Sequence, residues 1–134
     1  MDAHERIVAA TDAWLATAVK TDATSAAVLA VWEQVVVLLW RRAALTLGEV
    51  TLAVIFERVV MDVAEVHPVV AHVTLGDSEP DVRALHAAGA TVDAKHLRAG
   101  LRDFVIFYLS LIDALTGGIL TPVLRKELEK VVRP

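Results

Sequence analysis

The stretch Ser78–Leu97 reads SEPDVRALHAAGATVDAKHL, and the rest of the chain is organised around it. Ser78 can cap a helix, and Glu79 and Asp81 place negative charge in its first turn. Pro80 is tolerated there because its missing N–H has no helical partner. Val82, Leu85, His86 and Gly89 then fall on one side at helical spacing. Gly89 is a natural stop, and Thr91 or Asp93 can cap the next helix. The stretch therefore predicts a helix of about three turns, near the usual mean. It carries one histidine, His86, on its apolar side, then a turn, then a long apolar helix. No enzyme motif is announced, and the pattern supports a helical pocket with His86 as its single candidate ligand.

Length and composition bound the rest. The chain has 134 residues, which predicts one domain over residues 1–134. Hydrophobic residues make up 56% and mean hydropathy is +0.55, more apolar surface than a small bundle easily hides. That surplus predicts an internal ligand or a subunit interface, so a homo-oligomer is expected. Aromatics are only 5%, leaving a core of Ala, Val and Leu. Net charge is −4 without a basic run, which argues against a nucleic-acid partner. The absence of cysteine removes disulfides, thiolate metal sites and a cysteine nucleophile, and fits a cytoplasmic setting. The N-terminus MDAHERIVAA lacks the basic start of a signal peptide. Ala23–Trp40 and Phe104–Leu124 are long and apolar but interrupted by Glu33 and Asp113, so both are expected to be buried helices, not membrane spans.

Along the chain, Asp2 and Glu5 suggest a capping box for a first helix reaching Lys20. A second runs from about Thr24 to Leu45, with Val28, Trp32, Val35 and Leu39 on one face. Thr46 and Glu49 suggest a third, in which Leu52, Ile55, Phe56, Val59, Val60, Val63, Val66 and Val70 share a side. Pro68 ends or kinks it. Val69–Leu75 is taken as helical continuation, because no second strand offers itself. After the Ser78–Gly89 helix, Leu97, Leu101, Phe104, Tyr108, Leu111 and Leu115 stripe a helix over Ala94–Leu115. Gly117-Gly118 ends it, and Thr121-Pro122 opens a last helix bearing Leu124, Leu128 and Val131. The expected architecture is all-α, a bundle of about six helices with no strand.

Two segments of this pattern resemble the globin superfamily. Leu85-His86, Val92-Asp93 six residues on, and Leu97 opening a long helix are similar to the surroundings of the proximal histidine. Thr121-Pro122, Leu128 and Lys130-Val131-Val132 are similar to the last globin helix. The resemblance implies a globin-like fold and a haem, with His86 as axial iron ligand. Val82, Leu85, Val92 and Leu97 would touch the macrocycle on that side, and Phe56, Val60 and Val63 would form the opposite wall. Its ligand would be a diatomic gas, in sensing or redox chemistry more than oxygen storage, since Phe56-Glu57 stands where globins tend to have histidine or glutamine. Members of this fold without haem keep a second possibility open: a globin-like sensor or helical dimerisation domain. His4, His67, His72 and His96 have no partner at metal spacing and are expected at the surface or at hinges. Trp14, Trp32 and Trp40 are expected as core or interface anchors. Asp113 is expected at an exposed edge, or opposite Arg98 or Arg102 of another copy.

Overall fold

The fold is built on caps and stripes that the chain supplies locally. In the computed structural model, which describes residues 1–132, six helices carry nearly all the regular structure. Helix α1 spans Ala3–Ala18, and Asp2 caps it by accepting from the Glu5 N–H at 2.8 Å. Helix α2, Ser25–Leu47, starts on Thr24, whose hydroxyl accepts from the Ala27 N–H. Gly48, with φ +80°, turns the chain from α2 directly into α3, Glu49–Ala64. No residue with a β-carbon could take that φ cheaply. The expected Thr46 cap is therefore replaced by a glycine corner.

The segment after α3 departs from expectation. Helix α3 stops at Ala64, and Pro68–His72 forms a 3-10 turn. Thr74–Leu75 (β1) pairs antiparallel with Pro80–Asp81 (β2), Thr74 opposite Asp81 and Leu75 opposite Pro80. Of Val69–Leu75 only Val69–His72 is helical, as the 3-10 turn, and a small strand pair exists after all. Residues Ser78–Asp81 belong to this hairpin, so helix α4 is only Arg83–Gly89. The hairpin closes through the Gly76 N–H on the Glu79 carbonyl, and the Trp40 indole donates to the Ser78 carbonyl. Asp81 accepts from the Arg83 guanidinium and from the Arg83 backbone N–H, which together hold its carboxyl at about 2.

Helix α5, Ala94–Thr116, begins on Asp93, which accepts from the Lys95 N–H, and ends on left-handed Gly117. Helix α6 spans Thr121–Leu128. Asp113 is half-buried and accepts from the Thr121 hydroxyl, which ties the end of α5 to the start of α6.

Helix α5 packs against α1, α2 and α3, and α6 rests on α2. At the centre lies a chain of aromatic rings. Trp32 meets Phe104 at 5.4 Å, Phe104 meets Phe56 at 5.8 Å and Tyr108 at 5.9 Å, and Phe56 meets Trp40 at 5.5 Å. All five are buried, and around them lie Leu39, Leu52, Leu85, Leu97, Leu101 and Ile112, also buried. Burial raises the Tyr108 phenol above its ordinary value, which keeps it a neutral donor to the Leu39 carbonyl. The stripe on α5 drifts outward: Leu111 is half-buried and Leu115 exposed. No helix is long and apolar enough to cross a membrane among the described residues.

Two core substitutions should move stability in opposite directions. Phe104→Ala removes a ring touched by three others and should cost about 3–5 kcal/mol. Thr11 is buried with a hydroxyl that has no hydrogen-bond partner, so Thr11→Val should raise stability by about 1 kcal/mol. Urea unfolding checks both; a destabilised Thr11→Val chain would show that the hydroxyl is paired.

Candidate functional site

The residues expected to surround a cofactor are dispersed through the packed interior. Helix α4 has only seven residues, with Leu85 and Gly89 buried. The backbone of Gly89 comes so close to α2 that an added β-carbon would stand 2.7 Å from Leu29. His86 follows Leu85 by one position, about 100° around the helix, and comes out at the edge. Its side chain is 40% exposed, and Nε2 lies 3.5 Å from the Glu33 carboxylate on α2. Val82, Leu85 and Leu97 are buried in the core, and Val92 packs against it. Phe56 and Val63 are buried and Val60 is half-buried on α3.

In the interior Trp32, Phe56 and Tyr108 all pack against the Phe104 ring. Phe56 and Val60 line a surface groove against the 3-10 turn and β1, and Val63 lines another between α1, α3 and α5, but His86 lines none of the grooves. His86 and the expected opposite wall of Phe56, Val60 and Val63 therefore share no groove among these. Among the described residues no three His, Asp or Glu side chains gather at metal-binding spacing.

A different site does emerge, on the outer side of α5. Val105 to Leu109 are five consecutive apolar residues, more than a full helical turn. A helix that is apolar all round needs cover all round. Val105, Tyr108 and Leu109 are buried, but Phe107 is 44% exposed. Together with Ile106 and Leu111 it floors a groove of about 710 Å³, walled by α1 and α3. Val66, just beyond α3, stands 72% exposed at its edge because the helix ends at Ala64 and releases it from the core side.

The groove has a polar rim. Arg58 donates to Asp62 at 2.8 Å along α3. On α5, Asp103 accepts from His67 Nε2 at 2.7 Å through Oδ2 and from Arg102 at 3.3 Å through Oδ1. Arg102 in turn donates to Asp12 of α1 at 2.6 Å. His4 Nδ1 lies 3.3 Å from the Ser110 hydroxyl at the other end.

Comparison with protein families, curated proteins and solved structures finds no match for this chain. The groove offers apolar area, bracketed by paired charges. Sequence reasoning leaves His67 and His4 without partners because their partners are distant: Asp103 is 36 residues from His67, and Ser110 is 106 from His4. The one local signal is the uninterrupted apolar run in α5.

The rim has a titration signature. The hydrogen bond from Arg102 holds the Asp12 carboxyl below its ordinary value of 3.8; partial burial opposes this, and the charges of Arg102 and Arg98 add to it. A lowered folded-state value stabilises the fold above the unfolded value, and that contribution is lost as pH falls through the lowered one. Wild type should exceed Arg102→Gln by less than about 1 kcal/mol at neutral pH, given the exposure of both partners. The gap in thermal midpoint should close as pH falls below 3.8. A gap that stays constant through that range would show that Arg102 acts by packing alone.

Proposed function

We propose that this chain is a haem-free helical interaction domain, which works through its surface by associating with another polypeptide. One observation carries this: α5 is apolar around its whole circumference over Val105–Leu109, and its outer face at Ile106, Phe107 and Leu111 floors an open groove. The interior supports the same reading. Its aromatic chain is closed, and the tryptophan and tyrosine donors all find carbonyls: Trp14 on Leu128, Trp32 on Leu97, Trp40 on Ser78 and Tyr108 on Leu39. With these aromatic donors satisfied inside, the apolar outer face of α5 is the place where binding energy is available.

The globin-like alternative, with His86 on iron and a diatomic gas as ligand, makes an opposite demand. Helix α4 would have to lift from α2, release the Glu33 contact and open a slot lined by Leu85 and Leu97. Haemin titration separates the two. For an interaction domain, the Soret spectrum should remain that of free haemin in both wild type and His86→Ala. A Soret band shifted in wild type and restored in His86→Ala would replace the proposal by the haem reading.

Light scattering supplies the positive test. Purified wild type should be larger than a 14.5 kDa monomer at micromolar concentration. Phe107→Asp, which puts a charge on the uncovered face, should shift it to monomer with its helical circular dichroism intact. A wild type that stays monomeric across the accessible range would overturn self-association as its mode of action.

A further inference from the structure

The rim of the α5 groove indicates what covers it. The identity of the partner and its register, drawn from that rim, rest on the interaction-domain reading. Along the α3 wall, Arg58, Asp62 and Val66 succeed one another every four residues, so they line one edge of the groove. Arg58 is 64% exposed and Asp62 is 25% exposed. On the α5 wall, Asp103 is followed at the same spacing by Phe107 and Leu111.

Among the residues lining the groove, Arg58 and Arg102 stand against Asp62 and Asp103, two of each sign, with Asp12 of α1 paired to Arg102 at the margin, on a chain whose net charge is −4. A strongly basic or acidic partner would be met by an excess of the opposite sign. A second copy of the same face requires both signs in equal number, placed so that a two-fold axis brings each onto its opposite. The Arg58–Asp62 pair has that property. If α3 meets α3 of another copy antiparallel, with the axis passing between these residues, each arginine faces the other protomer's aspartate.

We propose that the α1/α3/α5 face is the interface of a two-fold homodimer. In it Arg58 of one protomer pairs with Asp62 of its partner, and Phe107 and Val66 are buried beside the axis. The two pairs are related by the axis, so a single substitution acts twice. Arg58→Glu sets carboxylates opposite one another at both places, and Asp62→Arg sets guanidinium groups opposite one another at both.

The test is a mixing experiment. Sedimentation equilibrium on Arg58→Glu alone and on Asp62→Arg alone should show self-association weakened by about tenfold or more. An equimolar mixture should recover it. In the mixed dimer the introduced carboxylate of one chain faces the introduced guanidinium of the other, and the native Asp62 of the first faces the native Arg58 of the second. The double variant Arg58→Asp/Asp62→Arg is again self-complementary and should dimerise like wild type; it stands in should either single variant lose its helical circular dichroism. A dimeric wild type whose single variants also remain dimeric overturns this interface and leaves self-association standing. Dissociated single variants that fail to recover on mixing overturn the register. A wild type that is monomeric throughout overturns this homodimer and self-association with it.

Discussion

The buried indole of Trp32 sets the relation between the two long helices. Its ring, fully buried, lies on Phe104, and its N–H donates to the Leu97 carbonyl at 2.9 Å. A donor with no access to water must be paired, or it costs about 1–3 kcal/mol. The partner here lies 65 residues away, in the first turn of α5. Pairing it fixes both the rotation of α5 about its axis and its position along α2. A core made mostly of valine and leucine could be filled in several registers with similar apolar burial. The polar ends of Trp14, Trp32, Trp40 and Tyr108 remove that freedom, since each reaches a carbonyl in another part of the chain. Of the seven aromatics in the sequence, these four are used as positioning devices.

That constraint explains what could be read from the sequence. The helices whose ends are set by adjacent residues were legible: Asp2, Thr24 and Asp93 cap within three positions, and Gly117 ends α5 by its own φ. Ser78–Asp81 was not, because serine, an acid and a proline suit a helix start and a hairpin equally well. What decides between them is non-local: the Trp40 indole on the Ser78 carbonyl, and β1 arriving to pair with Pro80–Asp81. The loss of those residues to the hairpin shortens α4 to about two turns. On so short a helix only Leu85 and Gly89 reach the core, and His86 is left at the margin against Glu33. Periodicity placed it on the apolar side, but periodicity does not say how wide the covered strip is.

Part of the surplus of apolar surface noted in the composition lies on α5, at Phe107 and Leu115, and on the adjoining Val66, where the stripe rotates out of the core as the helix proceeds; Leu45, Val50, Val54, Met61 and Ile119 expose apolar area elsewhere. A face of this kind on an isolated domain invites unselective association. The paired charges around it limit that: an apolar surface without complementary charges would leave the rim arginines and aspartates desolvated and mismatched.

The internal pairing of Arg58 with Asp62 has a consequence for how such an association would be driven. In the free protomer each charge already has a partner at 2.8 Å. Crossing over to equivalent partners in a second copy exchanges one set of pairs for another, with little change in Coulomb energy and little charge left unpaired on either side. The charges then select orientation and reject wrong partners, while the affinity comes from apolar area taken out of water, at about 25 cal/mol per Å². On that division, removing charge from the rim loosens specificity more than strength, and adding charge to the floor at Phe107 destroys strength outright. The same division suits the protomer on its own, because its rim is satisfied before any partner arrives.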